Sequence, residues 1–457
     1  MKILLVSPSV DPAEKTNKQM MMPQLALFIL QGLTPKEHQV VIVDEEAEDL
    51  NLEHDCDLVG ISFMTSNAPR AYELAGEFKQ RGKTVIFGGV HPTLLPDEAL
   101  RYGDSVVIGE AEGVWAELLE DHKNGCLKKI YHNPRPDLSA YVPKDFSKIP
   151  TNRLFALVPI MASRGCPYNC DFCCVTDLFG KEIRHVPIDN IVRDIKESGR
   201  KNFMFLDDNI IGHPGYAKEL FAALKPLKIS WVGQSSISLL VKDEELLRLA
   251  AESGCRGLFV GLESVKEAQM GSLRKSFSSL QGLEDGLKRL RKAGIFAHAS
   301  MIFGFDEDTP AVFDDTVKFL IKNKVHTVAF NVLTPYPGTK TFRKMKEEGR
   351  LLTADWKYYD HSTVVYQPKN MSPYELMIGK IRARKKFYGA WSIFRRFSGN
   401  LGHALTYTAM NWGHVKAVRV EGKRLAAVKR EVYDKKERAW PDSNGRPADS
   451  KSDALSS

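Results

Sequence analysis

Short, continuous apolar runs, each followed by a polar turn and a stretch of helical spacing, recur along most of this 457-residue chain. That rhythm restricts the fold more than any other feature. Runs at 2–7 (KILLVS), 39–44 (QVVIVD), 57–63 (DLVGISF), 84–88 (TVIFG) and 105–108 (SVVI) read as strands. Helical patterns separate them, such as 22–33, closed by Gly32 and Pro35, and 68–81. A strand with one wet face alternates apolar and polar residues. A run without alternation is buried on both faces, the condition of a parallel strand between two helix layers. The first 125 residues therefore read as a doubly wound α/β domain, with its ligand site at the carboxyl ends of the strands. The rhythm resumes from 157 to about 346, where runs at 158–163, 202–206, 229–232, 257–261, 296–303 and 327–333 make six βα units.

The second series opens on Arg164-Gly165-Cys166-Pro167-Tyr168-Asn169-Cys170-Asp171-Phe172-Cys173-Cys174. Cys166, Cys170 and Cys173 stand at spacings of four and three. Three thiolates on one tight loop can hold three irons of a cubane cluster and leave the fourth iron open to a ligand that is not protein. A structural zinc site wants four ligands, usually in two pairs; His185 is the nearest fourth candidate, and no second C-x-x-C exists. Cys174 follows directly, so a set ending on Cys174 is an alternative, with Cys173 preferred. Seven cysteines, an odd number without a secretory signal, point to a reducing cytoplasm rather than to disulfides.

The triad, with Phe172 just before its third cysteine, resembles the radical S-adenosylmethionine (SAM) enzymes. The resemblance implies a [4Fe–4S] cluster whose open iron is chelated by SAM, which is cleaved reductively to a 5′-deoxyadenosyl radical. It also implies that the six βα units form a partial (β/α)6 TIM-like barrel, with the chemistry on loops at the strand carboxyl ends. Asp207 and Asp208 are then candidates for the SAM ammonium, and Gln234 and Ser236 for its carboxylate or ribose. Glu263 is a candidate for the ribose hydroxyls or the amino group. Gly304 lets backbone approach the adenine, with residues 301–303 flanking the ring. Asp208 and Glu263 also suit the bland roles of a turn cap and a helix-start carboxylate. No residue is assigned a catalytic role.

The loops ending the amino-terminal strands carry Ser7, Thr65, Ser66, Gly88-Gly89-Val90-His91 and Gly109-Glu110-Ala111-Glu112. No G-x-G-x-x-G follows the first strand, so a dinucleotide is not indicated. Domain order and these loops resemble the Rossmann-like cobalamin-binding domain found in front of many radical SAM enzymes. The resemblance implies cobalamin contacts from Ser7, Thr65, Ser66, Gly88, Gly89, His91, Gly109 and Glu110. The chain lacks the D-x-H-x-x-G motif that supplies a cobalt ligand in many cobalamin proteins.

The expected organisation is a Rossmann-like cobalamin-binding domain at 1–125, a Pro-rich linker at 126–155, the radical SAM barrel at 156–346, an aromatic and basic helical cap at 347–434, and a disordered tail at 435–457. The net charge of +7 is uneven. Residues 380–457 hold 18 Lys and Arg against 7 Asp and Glu, a surplus of 11, so the rest of the chain is acidic by four. Within that tail, 382–397 (RARKKFYGAWSIFRRF) mixes basic and aromatic residues at near-helical spacing. Such a helix suits an anionic membrane surface or a lipid substrate, and also ordinary docking on the body. No run approaches the ~20 apolar residues of a membrane span. No nucleic-acid-binding module is recognisable, so no nucleic-acid partner is expected.

Together these readings imply a cytoplasmic enzyme, and the basic carboxy-terminal region offers it a peripheral contact with the inner membrane surface. Its reaction is cobalamin-dependent C-methylation of an unactivated carbon on a lipid-like or other natural-product substrate. Members of the resembled family act on hopanoid and other lipids, tetrapyrroles, phosphonates and peptide antibiotics. A flavodoxin or ferredoxin is the implied electron donor. The alternatives are a radical SAM cyclase or carbon–carbon bond-forming enzyme, a methylthiotransferase-like enzyme, and a non-catalytic cobalamin sensor.

Overall fold

The computed structural model of the chain describes residues 1–10, 23–133, 135–149, 157–266 and 279–433. The expected disordered tail and residues 150–155 of the expected linker lie outside the described residues. Two parallel six-stranded sheets carry the molecule.

The first sheet comprises β1 (Lys2–Ser7), β2 (Gln39–Asp44), β3 (Leu58–Ser62), β4 (Thr84–Gly88), β5 (Ser105–Gly109) and β6 (Ile130–Asn133), in the order β2-β1-β3-β4-β5-β6. Because successive side chains point to opposite faces, β1 feeds two cores at once. Leu4 and Val6 pack with Val59, Ile61 and Phe87 under the helix Ala68–Gln80. Ile3 and Leu5 pack with Leu58, Ile86 and Trp115 under the helix Trp115–Lys123. That is why the run has no polar alternation. The order reverses between β1 and β3, which opens a crevice at their carboxyl ends.

β6 lies inside the expected linker. It pairs parallel with β5 at the sheet edge, where Ile130 and His132 are exposed and Tyr131 is buried. Its half-wet pattern over four residues falls below the signal of a continuous apolar run.

The second sheet comprises β7 (Val158–Ile160), β8 (Asn202–Phe205), β9 (Ser230–Ser235), β10 (Cys255–Glu263), β11 (Phe296–Phe303) and β12 (Thr327–Val332), paired in sequence order. β7 and β12 do not pair with each other among the described residues, so the barrel is open. One set of side chains, including Leu258, Val260, Ala299, Met301, Phe303 and Val328, is buried against the helices. The alternate set, Phe259, Gly261, Ser300, Ile302, Ala329 and Asn331, is half-buried on the concave face. Of residues 301–303, expected to flank an adenine, only Ile302 therefore belongs to the concave set. Strand alternation turns Met301 and Phe303 outward.

The carboxy-terminal region is helical: Pro373–Phe387, opened by a capping box between Ser372 and Glu375, then Ala390–Phe397 and Ala404–Val428. The expected continuous helix at 382–397 is broken around Gly389, which precedes a new helix with extended φ and ψ. Arg396 donates to the carbonyls of Val325 (3.0 Å) and His326 (2.9 Å), just ahead of β12. Ala390–Phe397 and the start of Ala404–Val428 thus lie at the amino end of the barrel, opposite the cysteine loop, while Pro373–Phe387 begins at the carboxyl end, where Leu376 packs beside Gly304. The aromatic stretch before it is packed: Tyr358, Tyr359, Tyr366 and Met371 are all buried. No helix among the described residues is long and apolar enough to cross a membrane.

Candidate functional site

The cysteine loop leaves β7 under the control of two neighbouring carboxylates at the end of β8. Asp207 Oδ2 accepts the Ala162 N–H (3.0 Å) and its Oδ1 accepts the Ser163 hydroxyl (2.6 Å). Asp208 accepts the Gly165 N–H at 3.2 Å. Burial pushes both carboxyl groups up to about 6. Gly165 turns the chain at φ 99°, and the Glu182 carbonyl fills the place a Cβ would take. Within the loop, Cys173 N–H donates to the Cys170 carbonyl at 3.1 Å.

None of the seven cysteines is in a disulfide. No three His, Cys, Asp or Glu among the described residues converge on one metal ion. The His185 ring packs on Tyr216 with centroids 4.0 Å apart. A cubane presents a different iron to each sulfur, so its ligands need no common centre. Burial pushes the Cys173 thiol up to about 12 and Cys174 up to about 11. Thiols so buried become thiolates only beside a cation, which bound iron would supply. Cys174 precedes a one-turn helix, Val175–Phe179, as its cap residue.

The expected SAM residues divide into two groups. Asp208, Gln234, Ser236 and Glu263 sit at the carboxyl ends of β8, β9 and β10, around the loop. Gln234 is exposed on the concave side. Ser236 bonds Ser238 (2.7 Å), which in turn bonds the Tyr168 hydroxyl of the cysteine loop (3.2 Å). Glu263 is buried and holds φ 63°, a left-handed conformation rare for a side-chain-bearing residue. Strain of this kind costs about 1–3 kcal/mol and clusters at functional sites. Asp207 and Gly304 are engaged elsewhere. Asp207 is fully committed to Ala162 and Ser163. Gly304 has φ 100°, and a Cβ there would strike the Tyr366 hydroxyl, so the need for glycine comes from Tyr366 rather than from an adenine.

At the β1/β3 crevice, Ser7 ends β1 and its carbonyl accepts the Glu45 N–H at 3.0 Å. Ser9 Oγ and Thr65 Oγ1 are buried polar atoms without a partner among the described residues. Buried hydroxyls are rarely left so, and a ligand rich in amide groups, such as cobalamin, fits them. Ser66 Oγ meets Asn67 Oδ1 (3.2 Å), and Asn67 holds the Pro8 carbonyl (2.7 Å). Gly88 closes β4. Gly89, at φ 95°, lies so close to Phe63 that a Cβ would sit 2.9 Å from its backbone. Gly109, at φ 82°, donates to Thr93 Oγ1 at 3.0 Å.

Two expected cobalamin contacts have other partners. His91 is fully buried; its Nε2 meets the Tyr72 hydroxyl at 3.0 Å, and its ring packs edge-on against Trp356 at 5.5 Å. It supports the contact between the two sheets' domains, which Trp356 Nε1 extends by donating to Glu98 (2.8 Å). Glu110 is buried in ion pairs with Arg164 and Arg184. These two arginines pair across a two-residue antiparallel ladder flanking the cysteine loop, and Glu112 takes the other face of Arg164 at 2.6 Å.

Burial opposes the Arg164 charge, but the two carboxylates outweigh it and raise its pKa. Likewise burial would raise Glu112, and Arg164 holds it below its ordinary value. The GExE loop is therefore a latch on the cysteine loop. Charge complementarity between two Glu and two Arg was the available signal, but the partners lie 52, 54 and 74 residues apart.

The Radical SAM superfamily model matches residues 160–320, and the B12 binding domain model matches residues 19–119. The chain is 33% identical to bacteriochlorophyllide d C-12(1)-methyltransferase of Chlorobaculum tepidum, over 87% of this chain and 90% of that protein. It is 32% identical to bacteriochlorophyllide d C-8(2)-methyltransferase of the same organism, over 76% and 82%. Its fold matches the radical S-adenosylmethionine methyltransferase TsrM of Kitasatospora setae, solved with cobalamin and a [4Fe–4S] cluster bound. The TM-score is 0.70 at 16% identity, covering 93% of this chain and 99% of that one. On its sequence kinship and its two matched domains, the chain belongs to the cobalamin-dependent radical SAM methyltransferases, enzymes of C-methylation that use a [4Fe–4S] cluster, SAM and cobalamin.

Proposed function

We propose that this enzyme methylates an unactivated carbon on a large, apolar ring system of the tetrapyrrole class. The observation that carries this reading is the kinship, over most of both chains, with two enzymes named as bacteriochlorophyllide methyltransferases. A concave face on which Phe259, Gly261, Ile302 and Ala329 stand beside the mutually bonded Ser300 and Asn331 supports it, since it offers apolar surface to a ring.

Cys166, Cys170 and Cys173 would hold three irons, leaving the fourth for SAM. Asp208, Gln234, Ser236 and Glu263 surround that position at the strand ends and would orient the SAM polar groups. Ser7, Ser9, Thr65, Ser66 and the Gly88–Gly89 turn would hold cobalamin over the crevice. When bound, the cluster supplies the electron that cleaves SAM and cobalamin carries the methyl group. The chain's own part is positional. Asp207 and Asp208 fix the entry of the cysteine loop, and Glu110 and Glu112 fix that loop against the cobalamin-binding domain. A flavodoxin or ferredoxin would supply the electron.

The test is a substrate panel under anaerobic conditions, with reconstituted enzyme, cobalamin, SAM and a reductant. A chlorophyllide-type tetrapyrrole should gain one methyl group by mass spectrometry, while a hopanoid does not. Methylation of the hopanoid alone contradicts the tetrapyrrole reading. Product formed without a gain of mass equal to a methyl group would indicate ring closure instead.

A further inference from the structure

The helix Ala390–Phe397 is built inside out. Its buried face carries Ser392 and Arg396, at 2% and 0% exposure, and its outer face carries Trp391 at 63% and Phe394 at 78%. The next helix repeats the pattern. Tyr407, Asn411 and His414 face inward, while Leu405 and Trp412 stand 89% and 65% exposed. Leu405, Ala409, Trp412 and Lys416 are all exposed at spacings of four, three and four, which places them on one helical stripe. Leu401, in the turn between these helices, is 63% exposed. Five of the eleven large hydrophobic residues exposed on the described surface thus fall within residues 391–412. The two helices are joined rigidly: Tyr407 donates to the Ile393 carbonyl (2.7 Å), and Arg396 donates to Asn411 Oδ1 (3.0 Å). The outer face is therefore a fixed surface.

Its charge selects the partner. From residue 376 to 420 there are nine Lys and Arg and no Asp or Glu. Arg382, Lys385 and Arg395 are exposed and form no ion pair among the described residues. Arg395 stands over the Trp391 ring at 4.9 Å, so cation and aromatic point the same way. Exposed Trp, Phe and Leu beside unpaired cations are the composition of a helix lying in the interface of an anionic bilayer. A second copy of this chain fits poorly, because two such faces would meet positive against positive.

We propose that the outer face of helix Ala390–Phe397, with that of residues 404–416 in the next helix, docks this enzyme on an anionic lipid surface. The face covers the amino end of the barrel, opposite the cysteine loop. Docking therefore tethers the enzyme and leaves the site's mouth turned away from the bilayer. The tether does not depend on which substrate is methylated.

The test is co-sedimentation of the full-length, cluster-reconstituted protein with vesicles of phosphatidylcholine alone or mixed with phosphatidylglycerol. Binding is expected only to the mixed vesicles and should fall as salt screens the lipid charge. The double variant Trp391→Ser with Trp412→Ser should weaken binding at least about tenfold, from lost interfacial apolar contact. Arg382→Gln with Lys385→Gln should weaken it about 25-fold, at about fivefold per cation. Cluster absorbance and reductive SAM cleavage should stay at the wild-type level in both, which excludes misfolding. The proposal is overturned if the wild type binds neither vesicle, or if the double tryptophan variant binds as the wild type does. It is also overturned if the wild type is a dimer that this variant converts to monomer without any vesicle binding.

Discussion

Two arginines lie buried at opposite ends of the barrel, and the protein treats them differently. Arg164, at the mouth, is answered by charge: Glu110 and Glu112 reach it from the other domain, and its pKa is raised. Arg396, at the amino end, has no carboxylate partner among the described residues. Its donors go to the carbonyls of Val325, His326 and Phe387, to Ser392 Oγ and to Asn411 Oδ1. Its guanidinium also stacks 3.7 Å over Phe387. Burial pulls its pKa down to about 10, so it is still charged at neutral pH. Charge pairing joins two bodies that must be held in one register around cofactors. Neutral acceptors tie several chain segments into one body, where the guanidinium serves as a five-donor hub.

The comparison can be broken first at Glu110. Glu110→Gln leaves Arg164 and Arg184 without their shared carboxylate, and removing one partner of a buried pair costs about 3–5 kcal/mol. If the pair joins domains, calorimetry should show the single transition splitting into two, with methyl transfer lost while the barrel stays folded. A single transition shifted as a whole would show that the latch is part of one core instead.

Arg396→Met keeps volume but takes the Arg396 donor from the Val325 and Phe387 carbonyls and leaves His326 only Asn411 Nδ2, an expected loss of about 3 kcal/mol. Unlike the Glu110 variant, it should lower the barrel's own melting temperature. Arg396→Lys should recover only part of that loss, because an ammonium cannot reproduce the planar fork.

A smaller effect sharpens the comparison by pH. Because Arg164 depresses the Glu112 pKa, the pair's contribution is complete above the ordinary glutamate range, about 4.3. It is lost as pH falls through the lower folded value. Stability measured by denaturant from pH 5 down to pH 3 should therefore fall more steeply in the wild type than in Glu112→Gln. The stability difference at pH 5 should be about 1–2 kcal/mol. Smallest is Trp356→Phe, which removes one hydrogen bond to Glu98 at the other domain contact, for about 1 kcal/mol by thermal melting.

These two ends also mark what could be read from the sequence. The strands other than β6 were legible because each carries a largely apolar run, from full burial on both faces in β1 to the partly exposed edge strand β2. β6 was not, because an edge strand of four residues is half wet. Cys166, Cys170 and Cys173 were legible because ligand spacing is local. The latch was not, since carboxylate and guanidinium meet only after two domains fold against each other. Glu110 and His91 suit cofactor binding by their position, because they sit on strand-end loops, where ligands bind. The same loops face the second domain, and the second domain took them. Arg396 was hidden because a cation in a basic, aromatic segment suggests a solvated face, and nothing local says which side of the helix turns inward.

The most direct measurement follows a trideuterated methyl group from SAM into product, alongside 5′-deoxyadenosine, in the reconstituted enzyme with and without cobalamin. The expected result is a tetrapyrrole product carrying the labelled methyl group, with 5′-deoxyadenosine formed in proportion and no product when cobalamin is withheld. Labelled product formed equally well without cobalamin, or 5′-deoxyadenosine formed while the product never gains the label, would contradict cobalamin-dependent radical methylation.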